Sequence, residues 1–224
     1  TKVLSEREGQ RAPPIQMCDG LDRNLPDEPF ETMLANCLGH GRRNFVDVVE
    51  NFPEECRFVL ETLRDVYRND AATRKASMSP DERLRHHQEH SAPLMDKLKT
   101  WMDEQIAGKK VEENGSLGEA IRYMTKRWNS LTLFLRRPGA PLDNNICERA
   151  LKKAILHRKN ALFFRSENGA RVGDVFMSLI HTAELNGANP FDYLTELLRH
   201  PREVRDAADE WMPWNYRRAL EPIA

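Results

Sequence analysis

Apolar residues recur along most of this chain at the spacing of an α-helix, and strand-like patterns occur only near its start. The run Ile15–Cys18 alternates apolar and polar residues and stops at Asp19-Gly20. It predicts a short strand followed by a turn. A second apolar run, Met33–Leu38, predicts another buried strand that stops at Gly39.

Helix signals follow one another from Pro53 to the end of the chain. The stretch Ser79–Glu82 predicts a capping box with proline at the first helical position. Ser116 and Glu119 predict a second capping box, which opens a helix whose apolar stripe runs to Leu131. We therefore predict a mainly α protein with a small β part.

The elements divide the chain into four predicted segments: two strands in 1–52, a helical block in 53–138, a helix carrying Glu148 with further helices in 139–198, and a charged tail in 199–224. The helical block is expected to have its own apolar core. We expect that core to include Leu60, Leu63, Leu98, Trp101, Ile121 and Trp128.

No apolar run approaches the roughly 20 residues that span a bilayer. The first residues have no apolar signal core. These features predict a cytoplasmic protein without a membrane partner. The chain also lacks an initiator methionine, so we interpret it as a fragment or a processed product.

A net charge of −1 conceals a basic segment. Between Glu148 and Gly173 seven Lys and Arg residues stand against two acids, a local charge of +5. Such a patch indicates a polyanion partner at one face, and a solvated helix face is the alternative explanation. The candidate contacts to a DNA backbone are Arg149, Lys152, Lys153, Arg158 and Lys159.

Glu148 lies in the first turn of a predicted helix and is surrounded by cations. A carboxylate in that setting is what a magnesium-dependent phosphodiester site on DNA would need. The helix macrodipole favours its ionised form. Two alternatives stay open, a capping box with Asn145 and an ion pair with Lys152. Asp143 lies before the helix and is equally suited to ordering the loop.

Asp19 stands where the first predicted strand gives way to a turn. Acids at the carboxyl ends of strands often bind ligands, although an aspartate that caps turn amides is the alternative. His40, Arg42 and Arg43 follow the second predicted strand. We interpret them as candidate phosphate contacts, with a solvated surface as the alternative.

Cysteine and histidine spacing indicates little metal chemistry. The four cysteines form no CxxC pair, so reduced thiols are the simplest interpretation. His86 and His90 lie one turn apart on a predicted helix, which is the spacing of a metal pair. No matching acid or cysteine cluster completes the set.

Four segments together resemble the catalytic region of the IS-sixty-six-type bacterial insertion-sequence transposases. They are Gln16–Gly20, Gly39–Phe45, Leu142–Leu151 and Arg158–Phe163, and the later stretch 178–194 is also similar. The Asp-Asn-Asn-x-x-Glu-Arg and Arg-Lys-Asn motifs in this order carry the resemblance, which covers nearly the whole chain.

The resemblance implies an Asp-Asp-Glu triad on an RNase H-like α/β core that a helical insertion interrupts. Asp19 would be the second acid and Glu148 the third, and both would be ligands of Mg²⁺ (or Mn²⁺). The implied function is metal-dependent cleavage and strand transfer at transposon ends. The implied partners are DNA and further copies in a homo-oligomeric complex associated with the nucleoid.

Two departures from the family pattern matter. No Asp-Glu-Thr segment carrying the first acid precedes Asp19, and Leu21 replaces the usual aromatic residue after the Asp-Gly pair. We therefore expect the C-terminal portion of a catalytic region that is catalytically incomplete. The two rival interpretations are a non-catalytic helical DNA-binding remnant of a mobile element and a structural helical protein.

Overall fold

The computed structural model describes residues 12–20, 31–160 and 164–221. This part of the chain is mainly helical and contains one two-stranded sheet, as the sequence predicted. Internal contacts divide the chain into two compact units, Thr1–Asn144 and Asn145–Ala224. No helix in the described ranges is long and apolar enough to cross a membrane.

The sheet consists of β1 (Ile15–Cys18) and β2 (Met33–Asn36), which run parallel with Ile15 opposite Met33. The carboxyl ends of parallel strands meet at one edge of a sheet. The residues that follow the strands, Asp19 and Cys37, therefore emerge at that edge. We call it the carboxyl edge.

Six helices follow β2 in the first unit. They are α1 (Leu38–Asp47), α2 (Pro53–Lys75), α3 (Pro80–His90), α4 (Ala92–Ala107), α5 (Ser116–Lys126) and α6 (Trp128–Leu131), and a 3₁₀ turn at Leu133–Leu135 comes next.

The two predicted capping boxes have different outcomes. The Ser79 box is confirmed, because its hydroxyl accepts a hydrogen bond from the Glu82 N–H and the Glu82 carboxylate accepts one from the Ser79 N–H. The Ser116 box is wrong: Gly115 is the N-cap residue, makes no side-chain cap, and Ser116 is already helical. The helix predicted to reach Leu131 ends at Lys126 and gives way to α6.

The second strand is shorter than the predicted run Met33–Leu38. The strand ends at Asn36, and α1 begins at Leu38, so His40, Arg42 and Arg43 lie on a helix and not directly after a strand. Gly41 lies where α1 packs closely on α5: an added Cβ would lie 3.3 Å from Cγ of Met124.

The core of the first unit joins residues from several predicted segments. Leu63, Leu98 and Ile121 are buried in it as predicted. Leu60, Trp101 and Trp128 are half-buried and pack against it. The same core includes Leu38, Phe45 and Leu142. The division into 1–52, 53–138, 139–198 and 199–224 stays a prediction.

The second unit is helical where it is described. It comprises α7 (Asn145–Asn160), α8 (Glu167–Leu185), α9 (Pro190–Arg199), α10 (Pro201–Asp206), a 3₁₀ turn at Ala208–Trp211, and α11 (Tyr216–Ala219). Its small core contains Ala183, Tyr193, Trp211 and Tyr216. The Tyr193 hydroxyl donates a 2.9 Å hydrogen bond to the Trp211 carbonyl, which ties α9 to the 3₁₀ turn.

Candidate metal and nucleic-acid site

Asp19 is half-buried at the carboxyl edge, and its main chain is held from two sides. The N–H of Cys37 donates a 2.9 Å hydrogen bond to the carbonyl of Cys18, which continues the strand ladder to this point. The Tyr123 hydroxyl on α5 donates a 2.8 Å hydrogen bond to the Asp19 carbonyl. The position of Asp19 is therefore fixed by the packing of α5 as well as by the sheet.

The turn after Asp19 requires a glycine. Gly20 has φ of +89°, a conformation that side chains with a Cβ rarely adopt. An added Cβ would lie 2.7 Å from Nε of Arg127. The Arg127 guanidinium donates a 3.2 Å hydrogen bond to the Gly20 carbonyl and lies 4.4 Å from the centre of the Tyr123 ring. The alternative role of Asp19 in capping turn amides stays open, since Leu21 lies outside the described residues.

The pKa of Tyr123 depends on the charged groups at this edge. Burial raises the pKa of Tyr123, the neighbouring Arg127 lowers it, and Cys37 and Asp19 raise it further. The net direction is upward, so Tyr123 keeps its proton and acts as a donor at neutral pH. The Asp19 carboxylate and the Cys37 thiol are thus both close enough to Tyr123 to influence its charge.

A second carboxylate reaches the carboxyl edge from the segment before α7. The N–H of Leu38 donates a 2.9 Å hydrogen bond to the Leu142 carbonyl. Asp143 forms a hydrogen bond with the Tyr67 hydroxyl on α2, and burial followed by the Asp143 charge raises the pKa of Tyr67 well above its ordinary value. Segment 142–144 is therefore docked where β2 meets α1.

Cys37 lies at the centre of this docking contact and is buried. Burial raises the pKa of its thiol, and the backbone N–H groups of Asn144, His40 and Gly39 partly offset that rise. A buried thiol with a raised pKa stays protonated and inert. Cys37 therefore contributes packing at the carboxyl edge.

His40 is half-buried in the first turn of α1, where its N–H donates a 3.2 Å hydrogen bond to the Cys37 carbonyl. Arg42 and Arg43 are exposed further along α1. Of the three residues predicted to hold phosphate, His40 is thus the one attached directly to the carboxyl edge.

Glu148 lies in the first turn of α7, as the sequence predicted, and is half-buried. The basic residues on this helix, which are Arg149, Lys152, Lys153, Arg158 and Lys159, have exposed side chains. Arg149 donates a 3.2 Å hydrogen bond to the Asn145 carbonyl, and Lys153 forms an ion pair with Glu184 on α8. Arg149 and Lys153 are therefore partly engaged within the second unit.

The basic residues of α7 point in different directions around the helix axis. With 3.6 residues per turn, Lys152 and Lys159 lie within about 40° of the direction of Glu148 around the helix axis. Arg158 lies about 80° away from Glu148 on one side, and Lys153 about 140° away on the other. Lys152 and Lys159 consequently form one stripe with Glu148.

The described residues do not by themselves form a complete metal site. Within 12–20, 31–160 and 164–221 no group of three or more His, Cys, Asp or Glu side chains is placed to hold a metal ion. Asp19 belongs to the first unit and Glu148 to the second. Their convergence on one metal pair therefore stays a prediction.

The residues that sequence reasoning missed are those that hold the edge together. Tyr67 and Tyr123 lie on helices predicted from their apolar stripes, and Arg127 directly follows α5. None of the three belongs to a motif. Tyr123 and Asp19 are separated by 104 positions. No local pattern in a single sequence marks such a contact.

The family model of the IS66 family transposases matches residues 17–172, more than half of the chain. The chain therefore belongs to the IS66 transposase family, which confirms the resemblance seen in its motifs.

The curated relatives come from Sinorhizobium fredii (strain NBRC 101917 / NGR234) and are described as uncharacterized proteins. The protein y4jD is 32% identical over 189 residues, which cover 82% of this chain and 36% of the relative. The protein y4hP is 32% identical over 197 residues, which cover 83% of this chain and 35% of the relative. The chain thus spans about a third of the length of these relatives. No solved structure matches it significantly.

Proposed function

We propose that this chain is part of the catalytic region of a DNA transposase, in which Asp19 and Glu148 are two of three metal-binding acids. The observation that carries the proposal is the place of Asp19 in a member of the IS66 transposase family. It directly follows a strand of a parallel pair, at the edge to which the segment before the Glu148 helix is docked.

The proposed fold is a partial RNase H-like core interrupted by a helical insertion. The parallel pairing of β1 and β2 supports it. Acids that follow neighbouring parallel strands lie at the same edge of a sheet, which is where such folds bind their ligands. The helices from α2 to α6 would be the insertion. They return the chain to the carboxyl edge at Leu142, whose carbonyl accepts the hydrogen bond from Leu38.

Family membership favours a shared site. Asp19 and Glu148 both lie in the part of the chain that the family model matches, residues 17–172. We propose that their carboxylates bind the same metal pair.

Mg²⁺ (or Mn²⁺) fits the donors that this site offers. Both ions prefer carboxylate oxygens, and Mg²⁺ keeps water and substrate phosphate as its other ligands, so few protein acids are needed. When bound, such ions supply activation of the attacking oxygen and stabilisation of the leaving oxygen. The Asp19 and Glu148 carboxylates would hold them.

The other side chains of the site would position the two acids and the DNA. Tyr123 and Arg127 hold the turn that carries Asp19, and Tyr67 holds Asp143. Lys152 and Lys159 would bind backbone phosphates along the helix face that starts at Glu148. A strand bound to this stripe would run past the carboxylate. His40, Arg42, Arg43, Arg149, Lys153 and Arg158 are the remaining proposed DNA contacts.

Cleavage and strand transfer at transposon ends are proposed for the whole protein, of which this chain is a part. The resemblance implies a third acid in an upstream segment. Assembly of several copies on DNA, and a nucleoid-associated cytoplasmic location, follow from the same proposal.

Filter binding of the chain to duplex DNA at several salt concentrations tests the proposed role of the stripe. Each phosphate contact adds about 0.9 to the slope of log K against log salt. Lys152→Ala combined with Lys159→Ala should therefore weaken binding on all sequences alike and lower the slope by up to about 1.8. The matched control is Lys75→Ala combined with Lys126→Ala, two exposed lysines of the first unit.

Each outcome separates the rival interpretations. An unchanged slope in the Lys152/Lys159 variant removes this DNA-binding role from α7. Absence of any salt-sensitive binding favours a structural helical protein. A third outcome favours a non-catalytic DNA-binding remnant. In it, DNA binding depends on Lys152 and Lys159, but metal affinity does not change when Asp19 or Glu148 is replaced.

A further inference from the structure

Helix α3 is a firmly held platform in the first unit. Its start is fixed by the Ser79 capping box. Its middle is fixed by His87, which is buried and lies 3.3 Å from Oδ1 of Asp70 and 3.0 Å from Oγ of Ser91. Side chains that share a face of this helix are therefore held at a nearly constant separation.

His86 and His90 share such a face, one turn apart. Their ring centres are 4.4 Å apart, and the ring planes are tilted by 57°. Imidazole nitrogens bind zinc at about 2.0–2.1 Å. Two imidazoles at this separation can reach one ion through small rotations of their side chains.

Nε2 of His86 is a candidate ligand atom. It is buried and has no hydrogen-bond partner in the part of the chain that the structure describes. Buried polar atoms nearly always have a partner, and an ion or water is the usual explanation for one that has none.

The surroundings of His90 also suit a cation. Nε2 of His90 lies 3.9 Å from the Glu89 carboxylate, and both side chains are partly exposed. The negative charge of Glu89 beside the pair favours a bound cation. His87 is not available as a third ligand, since Asp70 and Ser91 occupy both of its nitrogens.

We propose that His86 and His90 form an open site for a divalent transition metal such as Zn²⁺ or Ni²⁺. Two imidazoles leave coordination positions free for water or for an oxygen or nitrogen atom of a bound molecule. Imidazole selects Zn²⁺, Ni²⁺ and Cu²⁺, whereas Mg²⁺ and Mn²⁺ prefer oxygen donors. The site is distinct in residues and in metal preference from the carboxylate site proposed above, and it does not depend on it.

Calorimetric titration of the whole chain, prepared without a histidine tag, with ZnCl₂ and separately with NiCl₂ tests the proposal. We expect one binding event per chain that excess Mg²⁺ does not displace. His86→Ala and His90→Ala should each weaken binding at least about tenfold, a loss typical of damage to metal-site ligand shells. A ligand that binds only the folded state also raises the melting temperature, so Zn²⁺ should stabilise the wild type and neither variant.

Matched controls keep this test independent of folding and of the DNA site. His157→Ala, on α7, and His200→Ala, after α9, remove histidines elsewhere and should bind Zn²⁺ like the wild type. Asp19→Asn should also leave Zn²⁺ binding intact. His90→Ala removes a partly exposed ring and leaves the buried His87 contacts in place, so it should fold. Wild-type affinity in His86→Ala or His90→Ala, or no binding by the wild type, would overturn the proposal.

Discussion

The hydroxyl of Tyr123 donates a 2.8 Å hydrogen bond to the backbone carbonyl of Asp19. This bond joins the end of the first strand to a helix that begins almost a hundred residues later. Arg127, one turn after Tyr123, contacts the next carbonyl of the same turn. The helical part of the first unit therefore positions Asp19, the proposed metal-binding acid. Substitutions in α5 should change the position of Asp19 at the end of β1.

Tyr123→Phe should destabilise the first unit modestly. The variant keeps the ring under the Arg127 guanidinium and loses only the hydrogen bond to the Asp19 carbonyl. A typical intramolecular hydrogen bond contributes about 0.5–1.5 kcal/mol to the free energy of unfolding. Urea denaturation should show a loss of that size. An unchanged midpoint would mean that water replaces the hydroxyl without cost.

Gly20→Ala should be more harmful than Gly139→Ala. Both glycines have positive φ, 89° and 77°, so each substitution carries the left-handed strain of about 1–2 kcal/mol. Only at Gly20 does the new Cβ also meet atoms, at 2.7 Å from Arg127 and 3.2 Å from the Tyr123 hydroxyl, whereas nothing lies within 4 Å at Gly139. Urea denaturation of both variants measures the difference. Equal losses would show that Arg127 moves aside freely.

The parts of this fold that the sequence predicted correctly are encoded locally. The Ser79 capping box needs residues three positions apart, and β1 needs only its alternation and the turn at Gly20. The start of α1 was missed because the apolar run of β2 continues through Leu38, which is already helical. The close contact of Gly41 with Met124, far along the chain, leaves no local signal.

The candidate site also combines features that have local sequence signals with features that depend on long-range packing. The positions of Asp19 after a strand and of Glu148 in the first turn of a helix were predicted from local signals and are confirmed, and their role in metal binding stays a proposal. The docking of Asp143 on Tyr67 was not found, since it depends on how α2 packs against segment 142–144. The same reason hid the cluster around Asp70, whose partners lie up to 17 positions away.

Asp70 should make the first unit sensitive to acid. Burial raises the pKa of this carboxyl, but hydrogen bonding to His87 and the charges of Arg83 and Arg74 outweigh burial and lower the pKa below its ordinary 3.8. A lowered folded-state pKa contributes stability that is present above pH 3.8 and is lost as pH falls through the folded-state value. Urea denaturation between pH 7 and pH 2 should show that loss below about pH 4.

Asp70→Asn removes this acid-sensitive contribution and destabilises the unit at neutral pH. Arg83 and the buried His87 lose their anionic partner, and breaking a buried ion pair costs about 3–5 kcal/mol. Because Arg83 and Arg74 reach solvent, we expect the low end of that range. Asp103→Asn, which breaks an exposed pair with Lys99, should cost less than about 1 kcal/mol. Equal costs for the two variants would contradict the role of Asp70.

Truncation of Ile121 should test the core that joins the predicted segments. Its side chain is fully buried. Replacement of a buried isoleucine by alanine costs about 2–5 kcal/mol through lost burial and the remaining cavity. Thermal or urea unfolding of Ile121→Ala should show that loss. Leu156→Ala, at a site that is 49% exposed on α7, is the size-matched control and should change stability by less than about 0.5 kcal/mol.

Asp19 and Glu148 should act as one unit in metal binding if they converge. Mn²⁺ affinity of the whole chain can be measured by electron paramagnetic resonance for Asp19→Asn, Glu148→Gln and the double variant. Ligands of the same metal pair are coupled, so the double variant should lose less affinity than the two single losses combined. Asp174→Asn, an exposed acid on α8, is the control and should bind Mn²⁺ like the wild type.

The size of that coupling decides between the two roles of each acid. A turn aspartate and a helix cap have no shared ligand, and distant independent sites add within about 0.3–0.5 kcal/mol. Coupling energies of about 0.5–3 kcal/mol are expected only for residues in contact or in one network. Additive losses, or losses in neither single variant, would show that Asp19 and Glu148 do not share a metal pair in this chain, and the site assignment would then be wrong.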